Sequence, residues 1–291
     1  MHLITVARSP ACTTSFCSHF SCTHNLHCNL GGHNEDGSAV DNDLFYFVSA
    51  NTSSSSYFSF TYAGRLSGWA WSYNTHGLVF TINGLFVLPN TQLGLGINFV
   101  ARDLLDSKSM KDAIRRSKRP GQDGGSHFNV GDVNAGTQVS IETGGVAGTT
   151  TVEQLDGTKG KWYAHFNQYL HNDQQPHKGD FVSSIYRMAR ATTLSQRTTT
   201  TDLAATDLVA VLDVLGDQGG YNDGEQDLYC LHRCNSVVDP YVTYVTVLVD
   251  LKNQNMKVYS NRTSAKNANE WWWQVNLKDK ELPVELPVFP Y

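Results

Sequence analysis

The stretch Ala11-Cys12-Thr13-Thr14, taken with Gly32-His33-Asn34-Glu35-Asp36, decides how this chain is to be read. It sets a thiol beside two small hydroxyl residues and, 24 residues after Cys12, offers the Asp36 carboxylate in a Gly-rich turn. Cutting the bond before Cys12 frees an α-amino group that can serve as the base for its own thiol. A free α-amine titrates near ~7.7–8.0 and a thiol near ~8.5, so the two share a proton at neutral pH without a histidine. A carboxylate is then needed to hold the amine, which is the role the spacing offers Asp36. Each residue also has an ordinary reading: Cys12 as a small buried hydrophobe, Asp36 before Gly37 as turn chemistry.

Composition narrows the field. A chain of 291 residues is long enough to bury a substantial core. Charged residues make up 17 % and the formal net charge is -5, so there is no basic footprint for nucleic acid. No run of ~18 apolar residues predicts a membrane helix. The first ten residues are too short for a basic region plus an apolar signal region. The expectation is a soluble protein, cytoplasmic rather than secreted, with an oligomeric state that the sequence leaves open. The glycosylation sequons at Asn51 and Asn261 then read as chance matches.

The six cysteines give a rival reading. Cys12, Cys17, Cys22 and Cys28 lie among His19, His24, His27 and His33, the ligand types of structural zinc. Their spacings lack the C-x2-C knuckle that zinc modules use. A Cys/His metal-binding protein is therefore one alternative, and disulfide pairing stays open.

Along the chain, residues 3–6, 44–48, 57–63, 69–73 and 78–82 read as strands, with Asn74-Thr75-His76-Gly77 as the turn of a hairpin, so residues 40–85 form a β-meander. In the strand at 57–63, Phe58, Phe60 and Tyr62 share one face and Tyr57, Ser59 and Thr61 the other. Residues 99–118 read as helix with a break near Ser107, followed by a Gly- and Asn-rich loop over 121–136. Strands follow at 137–142, 149–154 and 161–166. Helices follow at 181–194 and at 206–215, the latter with Thr206 as N-cap and Gly216 just past its end. A last strand pair spans 241–251 and 256–259. Strands, helices and strands again predict a layered α+β domain.

These residues resemble the acyl-coenzyme A:isopenicillin N acyltransferase family, which includes the insect β-alanyl-dopamine hydrolases. The resemblance runs from Cys12 to about residue 260. It is carried by Cys12-Thr13-Thr14, then Asn34-Glu35-Asp36 like the family's Asn-x-Asp, then Tyr73-Asn74-Thr75-His76-Gly77-Leu78 with Asn83-Gly84-Leu85, then Ala164-His165-Phe166-Asn167-Gln168, and the strand Thr246 to Asp250. It implies a four-layer αββα N-terminal-nucleophile hydrolase sandwich, activated by self-cleavage and needing no cofactor.

It also implies roles: Cys12 as nucleophile, Asp36 holding its amine, and an oxyanion hole made by the Asn74 backbone N–H and the Asn167 side chain, with Asn34 and Asn83 binding substrate. The substrates implied are small N-acyl amines, of β-alanyl-amine or acyl-amino-acid type. The expected organisation is a short leader over 1–11, a hydrolase-like domain over 12–278 and an irregular tail over 279–291. Three departures stand beside this. Ala11 replaces the family's Gly. Only eleven residues precede Cys12, which leaves open a chain lacking N-terminal strands. The Arg that the family carries before its C-terminal strand is missing, with Arg187 and Arg233 as candidates to replace it. An inactive relative acting as a binding module is the second alternative.

Overall fold

A computed structural model describes residues 16–23, 30–39, 44–85, 94–144, 149–155, 161–172, 182–198, 207–219, 229–233, 239–260 and 271–283. Cys12, the strand expected over 3–6 and the N-cap expected at Thr206 lie outside the described residues. The first two strands, β1 (Phe16–Thr23) and β2 (Leu30–Ser38), pair antiparallel with Phe16 opposite Asp36. This corrects the turn read at Gly32–Asp36: the stretch is extended and buried along almost its whole length. Its glycines serve close approach, since a Cβ on Gly32 would lie 2.3 Å from Leu215 Cδ1. Its polar side chains are paid for by tertiary hydrogen bonds, so it shows none of the apolar–polar alternation by which strands are recognised.

The meander is present as β3 (Phe45–Asn51), β4 (Ser56–Tyr62), β5 (Trp71–Asn74) and β6 (Leu78–Leu85), each paired antiparallel with the next. After the short β7 (Leu95–Gly96) come α1 (Ile97–Leu104) and α2 (Met110–Ser117). The helix breaks where Ser107 predicts, and Ser109 caps α2 by accepting from the Asp112 N–H at 3.2 Å. The loop expected over 121–136 is mostly strand: β8 (Gln122–Asp123) pairs with β7, and β9 (Gly125–Asp132) lies between β6 and the next strand. His127 and Asn129 hide β9 from a polarity-based reading, because the side chain of each finds a cross-strand partner inside the sheet, Ser140 Oγ at 2.8 Å and Thr81 Oγ1 at 3.1 Å.

Then follow β10 (Thr137–Gly144), β11 (Thr150–Leu155) and β12 (Lys161–His165), α3 (Val182–Thr198) and α4 (Asp207–Leu215), and β13 (Tyr241–Asp250), β14 (Asn255–Ser260) and β15 (Trp273–Asn276). One sheet runs β12-β1-β2-β13-β14-β15, the other β11-β10-β9-β6-β5-β4-β3.

Three cores separate four layers. Between the sheets, Phe58, Phe60 and Trp71 meet Val245, Val247 and Met256. Outside the seven-stranded sheet, Tyr57, Phe80 and Phe128 pack on Leu104, Leu105 and Ala113 of the α1–α2 region. Outside the six-stranded sheet, Leu248 and Tyr259 pack on Val211, Leu212 and Leu215 of α4. The faces of β4 divide as its alternation predicts. Each fully buried large side chain contributes roughly 1.5–3 kcal/mol, so every layer carries its own share of stability. The result is the expected α+β, αββα arrangement.

Candidate active site

Asp36 is fully buried on β2. Thr243 of β13 donates its hydroxyl to Asp36 Oδ1 at 2.7 Å. Asp36 Oδ2 makes no hydrogen bond among the described residues, and Arg187 Nη1 stands 3.9 Å from it. Burial pushes the Asp36 carboxyl up to about 7, against the pull of Arg233, Arg187 and the Thr243 hydroxyl.

Arg187 links this carboxylate to the second predicted residue. Its Nη2 donates to Asn167 Oδ1 at 2.8 Å and to Ser184 Oγ at 3.3 Å, and its Nε to Ser183 Oγ at 3.1 Å. Ser183, Ser184 and Arg187 lie at helical spacing on α3, so one face of the helix presents them together. Arg233 completes the cationic side. It forms a two-pronged ion pair with Asp239, donates Nη2 to Ser183 Oγ at 3.2 Å, and its backbone N–H bonds Thr243 Oγ1 at 2.8 Å. Both arginines named by the sequence as replacements therefore stand at Asp36.

Asn167 is held from three sides. Its backbone N–H donates to Ser184 Oγ at 3.1 Å, its Oδ1 accepts from Arg187, and one amide hydrogen goes to Gly84 O at 3.1 Å. The second amide hydrogen makes no hydrogen bond among the described residues. Asn83, at the end of β6, donates Nδ2 to His165 O at 3.1 Å and Phe166 O at 3.3 Å. Asn83-Gly84 and Asn167 thus join the two sheets at one end.

Two predicted residues are elsewhere. Asn34 spends both amide hydrogens on Leu215 O and Leu231 O, at 2.8 and 2.9 Å, and accepts from Thr246 Oγ1 at 2.6 Å. It ties β2 to α4 and β13. Asn74 closes the β5–β6 hairpin: its Oδ1 accepts from the N–H of His76 and Leu78, and its Nδ2 donates to Leu105 O and Ser107 O. Tyr73 faces Val79, and Asn83 lies four residues further along β6. Asn74, one residue beyond Tyr73, therefore stands beside Leu78, five residues from Asn83, and at ~3.4 Å per residue that separates the two by about 17 Å along the strand. Asn83 and Asn167 are brought together; Asn74 is not.

The Cys/His cluster read as a rival metal site begins with Cys12, outside the described residues. Among the described residues no group of three His, Cys, Asp or Glu could hold a metal ion, and no helix is long and apolar enough to cross a membrane.

What the sequence does not reveal is that Arg187 joins Asp36 to Asn167. The serine–arginine spacing on α3 was the available signal, and it gains meaning only once α3 is packed on the sheet. A second buried constellation was also missed. Glu142 of β10 bonds His165 Nε2 at 2.7 Å and the N–H groups of Leu170 and His171 at 2.7 and 2.9 Å. Burial pushes the Glu142 carboxyl up, but these three donors outweigh it and it sits below the ordinary range; burial pushes His165 down.

The family model described as acyl-coenzyme A:6-aminopenicillanic acid acyl-transferase matches residues 23–265. That span contains Asp36, Asn83, Asn167, Arg187 and Arg233 and starts beyond Cys12. The beta-alanyl-dopamine/carcinine hydrolase of Drosophila melanogaster is 33 % identical over 105 residues, covering 32 % of this chain and 27 % of that protein. The match thus spans little more than a quarter of the relative's length. Among solved structures, a variant of conjugated bile acid hydrolase from Clostridium perfringens superposes with a TM-score of 0.58 at 13 % identity, over 94 % of this chain and 97 % of that one. The Caenorhabditis elegans ortholog of N-acylethanolamine-hydrolyzing acid amidase gives 0.51 at 12 % identity, over 86 % and 97 %. At such identities the likeness is one of fold, and the fold is that of the N-terminal-nucleophile hydrolases.

Proposed function

From the premise that this chain belongs to the acyl-coenzyme A:6-aminopenicillanic acid acyl-transferase family, a family of amidohydrolases and acyltransferases, we propose that it works through an N-terminal Cys12 nucleophile on small N-acyl amines. The observation that carries this reading is the pairing of two unfinished groups at one end of the sheets. Among the described residues, Asp36 Oδ2 has no hydrogen bond and one Asn167 amide hydrogen has no acceptor. A buried carboxylate without a donor is costly, and the ammonium of a freed Cys12 is a donor of the required charge.

In self-cleavage, the Cys12 thiol attacks the Ala11 carbonyl, the acyl group shifts from nitrogen to sulfur, and water hydrolyses the thioester. Residues 1–11 leave with a carboxyl group, and Cys12 gains its α-amine. In turnover, the amine takes the thiol proton as sulfur attacks the substrate amide. It then returns that proton to the departing amine, leaving a thioester. Water gives hydrolysis; a second amine or thiol gives acyl transfer. Asn167 Nδ2 donates to the oxyanion, which needs neutral donors aimed at the developing charge, worth ~2.7–4 kcal/mol each. The second donor is assigned to the Asn83-Gly84 backbone rather than to Asn74, whose hairpin lies too far from Asn167. The relative named for beta-alanyl-dopamine and carcinine favours β-alanyl amines as the first substrates to try.

The test is intact mass together with turnover. Wild type is expected to have lost residues 1–11, while Cys12→Ala keeps them and hydrolyses nothing. An uncut wild type that still turns over a β-alanyl amide would overturn the mechanism.

A further inference from the structure

We infer that Glu142 is a positioning residue that fixes the Asn167 side chain by clamping the chain on both sides of it. This rests on the oxyanion role proposed for Asn167. Glu142 is fully buried towards the end of β10, and its hydrogen bonds go neither to Asn167 nor to the Asp36 cluster. What it holds is the flanking chain. His165, two residues before Asn167, donates Nε2 to Oε1 at 2.7 Å; Leu170 N donates to the same oxygen at 2.7 Å; His171 N donates to Oε2 at 2.9 Å.

The neighbouring contacts reinforce the clamp. The His165 ring stacks on His127 with centroids 3.4 Å apart and 12° between planes, and Tyr169 donates its hydroxyl to Thr143 O at 2.7 Å. The carbonyls of His165 and Phe166 are in turn fixed by Asn83. So the segment 165–171 is tied to β10 before and after Asn167, and to β6 just before it.

Anchoring a loop for stability alone does not require a buried carboxylate, since desolvating one is expensive and apolar packing does as well. Charge-assisted bonds, shorter and stronger than neutral ones, are the means of holding a backbone to sub-ångström tolerance. An oxyanion donor needs that tolerance, because a displacement of ~1 Å can cost about 10²-fold in rate.

The experiment compares wild type, Glu142→Gln, Asn167→Ala and the double variant on β-alanyl-7-amino-4-methylcoumarin, with iodoacetamide labelling of Cys12 as the fold control. Glu142→Gln keeps the shape but turns one acceptor into a donor facing an N–H. It is expected to lower kcat about tenfold or more with KM changed less than about twofold, and to have no further effect on kcat once Asn167 is Ala. If Glu142→Gln leaves kcat normal while Asn167→Ala is impaired, the clamp is overturned and the oxyanion reading stands. The same holds if Glu142→Gln lowers kcat by an equal factor in both backgrounds, since it then acts elsewhere. If Asn167→Ala turns over normally, the oxyanion reading falls and the clamp with it. Should Glu142→Gln fail to fold, Glu142→Asp, which keeps the charge and shortens the reach, is expected to give the same kcat loss and the same silence in the Asn167→Ala background.

Discussion

Asn167 is where the chemistry of a single side chain can be tested most directly. Its Oδ1 is fixed by Arg187 and one amide hydrogen by Gly84 O, so the remaining hydrogen points in one direction only. Asn167→Ala is expected to reduce kcat by about 10²–10³ with KM little changed, the signature of a bond made mainly in the transition state. Asn167→Asp should be at least as damaging, because it sets an acceptor charge against a developing anion and also alters the Arg187 contact. Steady-state kinetics on a β-alanyl amide decides this, with Cys12 labelling by iodoacetamide retained in both variants. Early unfolding with loss of labelling would make Asn167 a structural residue of the sheet junction. The sequence singles out Asn167 and Asp36 by motif order. The meeting of Asn83-Gly84 with Asn167, and the bridge through Arg187, were not legible there, because each joins residues far apart in sequence.

At the scale of elements, the β5–β6 hairpin shows how one residue type can be read two ways. Asn74 combines the two readings that the sequence leaves open, turn residue and backbone oxyanion donor; its side chain is wholly engaged in the first, and its hairpin stands away from Asn167. Gly77 adopts φ +87°, which closes the turn behind it. The Asn74 amide also ties the hairpin to the α1–α2 connection through Leu105 O and Ser107 O. Asn74→Ala would leave four backbone groups, three of them buried, without their partner. The expected loss is on the order of 2–4 kcal/mol of stability, read by denaturant melting, with kcat of the folded enzyme within about twofold of wild type. A large kcat loss at unchanged stability would return Asn74 to the active site.

The same scale explains which strands were legible. Those of the meander alternate apolar and polar residues, and β13 is a run of Val, Tyr and Leu. β2 and β9 bury Asn34, Glu35, Asp36, His127 and Asn129, and a polar residue that is bonded to a distant partner looks, in sequence, like a loop.

For the whole molecule, the proposed mechanism makes Asp36 the link between activation and stability. On that mechanism, loss of the leader changes the charge facing Asp36 by adding an ammonium. In the folded chain the Asp36 carboxyl is raised from its ordinary 3.8 to about 7, by burial first, with Arg233 and Arg187 opposing. A raised carboxyl binds its proton more tightly folded than unfolded. Its contribution to stability is thus fully present below about pH 3.8 and is lost as pH rises through about 7.

The uncut Cys12→Ala protein should accordingly lose on the order of a few kcal/mol between pH 5 and pH 8. Adding Asp36→Asn, which keeps the acceptor for Thr243, should abolish that loss. Self-cut wild type should also lack it, because the new ammonium favours the ionised carboxylate. His232, pushed down to about 4 by burial, destabilises all three proteins alike as pH falls below its ordinary 6.5, and so cancels in the comparison. The measurement is denaturant melting of the three at pH 5, 6.5 and 8. Self-cut wild type that loses as much as Cys12→Ala would mean that Asp36 does not meet the Cys12 amine, and Asp36→Asn should then also leave turnover unchanged, against the 10²–10⁴-fold loss expected of a residue that orients the base.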